Sequence, residues 1–130
     1  QDTEEKKVLT RARVGQGKYR EELLKLCPFC PITLVSDDRL LIASHIKPWS
    51  VSSKEEKLDG FNGLLLSPHV DHLFDRGFIS FKNGGDLLVS KELNPIVLEQ
   101  WNIEDSANVG AFKANQGKYL EFHRDTVFQG

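Results

Sequence analysis

The stretch SPHVDHLFDRG, residues 67–77, narrows the folds open to this chain more than any other. Ser67 can cap a helix N-terminus, Pro68 suits the first helical position and Gly77 suits the exit. Val70, Leu73 and Phe74 follow the i, i+3, i+4 rule and define a buried face. The opposite face carries Asp71, Asp75 and His72, with His69 and Arg76 at its edge. Asp71 and Asp75 stand one turn apart, close enough to share a cation. On a bare helix two such carboxylates repel by roughly a few tenths of a kcal/mol, and a divalent metal would reverse that sign. Directly before the helix lies NGLLL, 62–66, a short apolar strand opened by a turn dipeptide.

Upstream, RLLIASHI (39–46) reads as a buried strand that ends by presenting His45. Pro48 disfavours helix at Lys47, so the chain stays extended or turns there. SVSSKEEKLDG (50–60) is a polar loop with room for a short helix. KYREELLKL (18–26) places Tyr19, Leu23, Leu24 and Leu26 near one face of a short amphipathic helix. Residues 1–16 read as an extended or frayed charged arm, or linker, closed by Gly15-Gln16-Gly17, leaving 17–130 as one domain. FISFK and DLLVS, split by Asn83-Gly84-Gly85, predict a hairpin. Helices are expected over 91–105, contributing Leu93, Ile96, Val97 and Trp101, and over 117–128, contributing Tyr119, Leu120 and Phe122.

A chain of 130 residues with 39% hydrophobic and 28% charged residues can bury one modest core. No window approaches the length of a membrane span, and the polar start QDTEEKK is not a signal peptide. The expectation is a cytoplasmic protein with no membrane partner. The sequence has no Met, which suggests processing or a piece of something longer. Net charge is −2, so there is no global basic signature, yet Arg11, Arg13, Lys18 and Arg20 cluster within ten residues. Backbone contacts to nucleic acid need only such a local patch. Cys27 and Cys30 form one Cys-x-x-Cys pair, half of a tetrahedral zinc site. Pro28 and Pro31 interrupt that segment, which argues for a knuckle rather than a thioredoxin-type redox site.

The order strand, His45, loop, Asn62, strand, helix with metal-type ligands resembles the HNH endonucleases, in particular their restriction-enzyme-like subgroup. LLIASHIKPW (40–49), LDGFNGLLLSPHVDHLFDRGFISF (58–81) and RVGQGKYREELL (13–24) carry the resemblance, about a third of the chain. It implies an α+β fold: a ββα-metal (His-Me finger) core with flanking helices and an additional β-hairpin. His45 then matches the general base and Asn62 the residue that tethers the loop orienting it. Asp71, nine residues beyond Asn62, falls at the last motif ligand, with Asp75 as a further ligand. His69 and His72 lie beside that position, so the third letter of the motif stays open among His69, Asp71 and His72. Ser44 departs from relatives that place a metal-binding Asp or His there.

The resemblance also implies one catalytic Mg²⁺ or Mn²⁺ and hydrolysis of double-stranded DNA to 5′-phosphate ends. Arg11, Arg13, Lys18, Lys47 and Arg76 would hold flanking phosphates, which positions a duplex without reading its sequence. The activity expected is that of a restriction-type catalytic domain. A recognition domain elsewhere in the same longer chain, or a homodimer, would supply specificity. Two alternatives are a nuclease for RNA or for structured or damaged DNA, and a silent nucleic-acid-binding module. Many relatives carry a structural Zn²⁺, whose first pair Cys27 and Cys30 match. Ser67 and Val70 stand where the second pair would be, and only His69 offers a substitute, so zinc is not favoured.

Overall fold

Leu64, Leu65 and Leu66 are buried on both faces of one short strand, so cover must come from more than one element. The computed structural model describes residues 3–130, the side chains of 8–13 excepted. Helix α1 (Glu4–Leu26) leads to strand β1 (Ile42–His45), short helix α2 (Lys54–Leu58), strand β2 (Gly63–Leu66) and helix α3 (Pro68–Asp75). A hairpin of β3 (Ile79–Phe81) and β4 (Leu87–Val89), then α4 (Ile96–Gln100) and α5 (Gly117–Phe122), complete an α+β fold. Strands β1 and β2 pair antiparallel, with Ser44 opposite Leu64 and His45 opposite Gly63. Helix α1 packs on β2 through Tyr19 and Leu23, and α3 packs on β1, burying Val70, Leu73 and Phe74. Among the described residues, no helix is long and apolar enough to cross a membrane.

The expected order of elements is present, with four local differences. The helix predicted from residue 18 begins at Glu4, so residues 4–16 are helical rather than extended. Thr3 caps it by accepting from the Lys6 amide, and Glu4 and Glu5 sit favourably in its first turn. A mid-helix glycine costs only about 1 kcal/mol against alanine, too little to end a helix with these signals. The strand predicted over 39–46 is shorter and half-buried, because Asp37 accepts from the Arg39 amide and turns residues 38–40 into a 3₁₀ turn. Ser67 precedes α3 as expected but does not cap it; its hydroxyl bonds Thr33 at 2.6 Å instead.

The helix predicted over 91–105 shrinks to Ile96–Gln100. Pro95 disfavours helix before it, and Asn102, at φ 55°, ends it in the left-handed region. Leu93, Leu98 and Ile103 reach the core, whereas Ile96 and Trp101 stay exposed. Helix α5 continues through a π turn, His123–Val127, close to the predicted span. Gly77 leaves α3 at φ 77° with its Cα face against the Val127 carbonyl, a position closed to any other residue.

That π turn buries His123 against α3. Its ring stacks on Phe74 at 3.8 Å, Nε2 donates to the Phe74 carbonyl at 2.8 Å, and Nδ1 accepts from the Ser80 hydroxyl at 2.8 Å. Burial lowers its pKa from 6.5 to about 4. Protonation therefore favours the unfolded chain, and the stability His123 supplies is full above pH 6.5 and lost as pH falls towards 4. The loss should reach about 3 kcal/mol by pH 4. Denaturant melts of His123→Gln should be flatter than wild type over that window, which unchanged steepness would contradict.

Candidate active site

Strand β1 delivers His45 to the mouth of the loop 46–62, and the loop folds back on it. Pro48 opens a 3₁₀ turn, Trp49–Val51, closed by the Ser52 hydroxyl on the carbonyls of Lys47 and Pro48 at 3.1 and 3.0 Å. Ser53 and Glu56 then form a capping box that starts α2. The Lys57 carbonyl near the end of α2 returns to His45 and sits 2.8 Å from Nε2. A carbonyl can only accept, so Nε2 carries the hydrogen and Nδ1 keeps its lone pair. Nδ1 hydrogen-bonds to none of the described residues. The ring is half-buried, and that desolvation lowers its pKa, keeping the imidazole neutral at neutral pH.

Asn62 closes the other end of the loop. Its side chain is fully buried; Oδ1 accepts from the Lys47 amide at 2.8 Å and Nδ2 donates to the Glu56 carbonyl at 3.0 Å. One amide therefore holds both ends of the connection. The Asn62 carbonyl accepts the Tyr19 hydroxyl at 2.6 Å, and the Tyr19 ring stacks on His45 at 4.3 Å, nearly parallel. Gly63 makes this approach feasible, since a Cβ there would overlap the Tyr19 hydroxyl. The Asn62-Gly63 pair is thus not a two-residue hairpin turn.

Asp71 lies on α3 within reach of the same strand. The Ser44 side chain, just before His45, lies near its carboxylate and favours the ionised form. Burial raises the Asp71 pKa, Ser44 opposes this, Asp75 adds to it and His72 opposes it. His45, Asn62 and Asp71 are therefore gathered around one strand end. Asp75 and His72 are exposed and act on Asp71 electrostatically, while His69 packs edge-on against Trp101 at 5.2 Å. Among the described residues, no three of His, Cys, Asp or Glu converge on one metal position.

The predicted phosphate contacts divide. Lys47 is ion-paired with Glu56 at 2.9 Å and lies over the Phe122 ring. Lys18 and Arg76 are exposed, and the side chains of Arg11 and Arg13 lie outside the described residues. Arg20 instead donates to the Asp38 and Leu41 carbonyls, anchoring α1 to the start of β1. Cys30 is buried and Cys27 partly exposed, both as free thiols. Of the positions where a second zinc-ligand pair would stand, Ser67 bonds the Thr33 hydroxyl and Val70 is apolar and buried, so these donors do not make a closed structural-zinc site. Sequence reasoning gave Tyr19 only a place on a helix face and missed the Lys57 carbonyl altogether. Neither carries a local signal, because a helix pattern does not say which strand end the helix covers.

Residues 30–82 match the model of the HNH endonuclease family. This segment is similar to HNH endonuclease domains. The match runs from Cys30 through β3 and includes His45, Asn62 and Asp71; α1 and Cys27 precede it. HNH nucleases generally use a divalent metal ion. A comparison with curated proteins finds no match.

Asn62→Ala should leave the Lys47 amide without a partner and the Glu56 carbonyl with only the Asp59 amide. A cost of about 1–3 kcal/mol is expected, the penalty for one orphaned group. Hydrogen exchange at the Lys47 amide should accelerate more than in β3, and equal acceleration throughout would deny Asn62 its local role.

Proposed function

We propose that this HNH domain is a metal-dependent endonuclease that hydrolyses phosphodiester bonds in double-stranded DNA, as the catalytic part of a restriction-type enzyme. The state of His45 carries this reading: a neutral ring held by Nε2–H on the Lys57 carbonyl, with the Nδ1 lone pair left for a proton. His45 accepts that proton at Nδ1 from a water whose oxygen bonds to phosphorus. The bond from phosphorus to the 3′ oxygen breaks, and the leaving oxygen takes its proton from solvent. The product is a 5′-phosphate. Asn62 keeps the Lys57 carbonyl in place by fixing both ends of the loop, so that His45 cannot rotate its lone pair away.

Asp71 is the residue best suited to hold a divalent cation. It is a hard oxygen donor, half-buried, and burial leaves its carboxylate short of compensating charge. A single carboxylate suits Mg²⁺, which keeps several waters and is commonly shared with substrate phosphate. When bound, the cation would neutralise charge on the phosphorane and on the leaving oxygen. Asp75 is a second, outer carboxylate for the same ion, and His72 and His69 are the remaining motif candidates. Arg11, Arg13, Lys18 and Arg76 are the proposed contacts to flanking phosphates. A recognition domain in a longer chain would choose the sequence.

His45→Ala should cost about 10²–10⁴ in cleavage rate while folding and duplex binding persist. Asp71→Ala should abolish Mg²⁺- or Mn²⁺-dependent cleavage and weaken metal binding, His72→Ala should retain substantial activity, and Asp75→Ala should fall between. The reverse ranking, His72→Ala dead and Asp71→Ala active, would move the ligand to histidine. Parallel digests of plasmid, RNA and branched DNA, with EDTA controls, test the substrate; failure to cut any of them would leave a binding module.

The pH profile follows from the depressed His45 pKa. His45 works neutral, so the acid limb of kcat/KM should lie below the ordinary histidine value of 6.5. A limb above that value would assign it to another group.

A further inference from the structure

We infer that Tyr19, on α1 and outside the matched HNH segment, is a positioning residue of the nuclease centre that sets His45 and Asn62 together. The inference deepens the reading of His45 as the base and rests on it. Three observations carry it. The Tyr19 ring lies 4.3 Å from the His45 ring at an interplanar angle of 9°, so it forms one wall of the imidazole's slot. Its hydroxyl donates to the Asn62 carbonyl at 2.6 Å, the same carbonyl that accepts from the Ile46 amide. Gly63, directly opposite His45 in the β1–β2 ladder, lacks the side chain that would fill the space Tyr19 occupies.

An imidazole held by one hydrogen bond, Nε2–H to the Lys57 carbonyl, can still pivot about that bond. A parallel ring against its face removes this freedom, because any tilt of the imidazole drives its edge into the tyrosine. The hydroxyl adds a second restraint. By binding the Asn62 backbone it fixes the residue whose side chain holds Lys47 and Glu56, and so the carbonyl of Lys57. Tyr19 itself is 1% exposed, and burial raises its pKa, so it acts as a neutral donor. Tyr19 touches neither substrate nor metal; it acts through His45 and Asn62.

Tyr19→Phe removes the hydroxyl and keeps the ring, and Tyr19→Leu removes both. On supercoiled plasmid with Mg²⁺, Tyr19→Phe should lower kcat about five- to tenfold, and Tyr19→Leu about 100-fold, with KM within twofold of wild type in both. A merely structural role would lower the folded fraction, which circular dichroism and single-turnover amplitude read separately. The second readout needs no cleavage: ¹⁵N shifts of His45 should report the Nε2–H tautomer in wild type and Tyr19→Phe, and a tautomer mixture in Tyr19→Leu. Folded Tyr19→Leu with wild-type kcat and an unmixed tautomer would overturn the inference. If Tyr19→Leu does not fold, Tyr19→Phe decides, and wild-type kcat there overturns it. A wild type that cuts no nucleic acid while Tyr19→Leu still mixes the tautomer would overturn the nuclease reading and uphold Tyr19 as the holder of His45.

Discussion

One buried amide organises the centre of this protein. The Asn62 side chain accepts from the Lys47 amide and donates to the Glu56 carbonyl, so it ties the end of the loop 46–62 to its start and its middle. Without it, the segment between β1 and β2 would be a polar connection with little apolar burial of its own. With it, the Lys57 carbonyl becomes a fixed point, and His45 has something rigid to lean on. A side chain of this kind is obligatory in a way that packing residues are not. Its partners are backbone groups, and removing it leaves the Lys47 amide unpaired and the Glu56 carbonyl with one donor fewer.

The two buried or half-buried histidines show how little separates a structural ring from a reactive one. His45 and His123 each donate from Nε2 to a backbone carbonyl at 2.8 Å, and each stacks on an aromatic ring. Burial lowers the pKa of both, so both are neutral near pH 7. They differ at Nδ1. In His123 that lone pair is taken by the Ser80 hydroxyl; in His45 it meets none of the described residues. A neutral imidazole with an untaken lone pair, at the end of a strand, is in the state that the proposed general base requires. The same ring with both nitrogens satisfied inside the core is a brace between α3, β3 and the C-terminal turn.

Asp71 and Ser44 extend the same logic to the metal side. Burial and the neighbouring Asp75 make the ionised Asp71 costly, and the Ser44 hydroxyl offsets part of that cost. In the proposed reading this carboxylate is the one that a cation would meet. The neighbouring lysine, Lys47, is committed elsewhere, to Glu56 and to the face of Phe122.

The sequence by itself determined the order strand, histidine, loop, asparagine, strand, helix, because each sign is local. The i, i+3, i+4 pattern of Val70, Leu73 and Phe74, the Pro68 start and the Gly77 exit need no distant partner, and the helix stands where they put it. The hairpin around Asn83-Gly84-Gly85 was legible for the same reason. Local signals were weaker where competing preferences were nearly balanced, as in α1, whose capped start outweighed its glycines, and in 91–105, where Pro95 and Asn102 trimmed a periodic pattern. Only the tertiary structure decided what each polar side chain does. Whether Asn62 turns a hairpin or ties a loop depends on where Lys47 and Glu56 end up. Whether Asp71, Asp75 or His72 faces Ser44 depends on how α3 rotates against β1. That Tyr19 lies over His45 depends on α1 crossing β2 at the one residue without a side chain, a contact between positions 26 apart that no local pattern encodes.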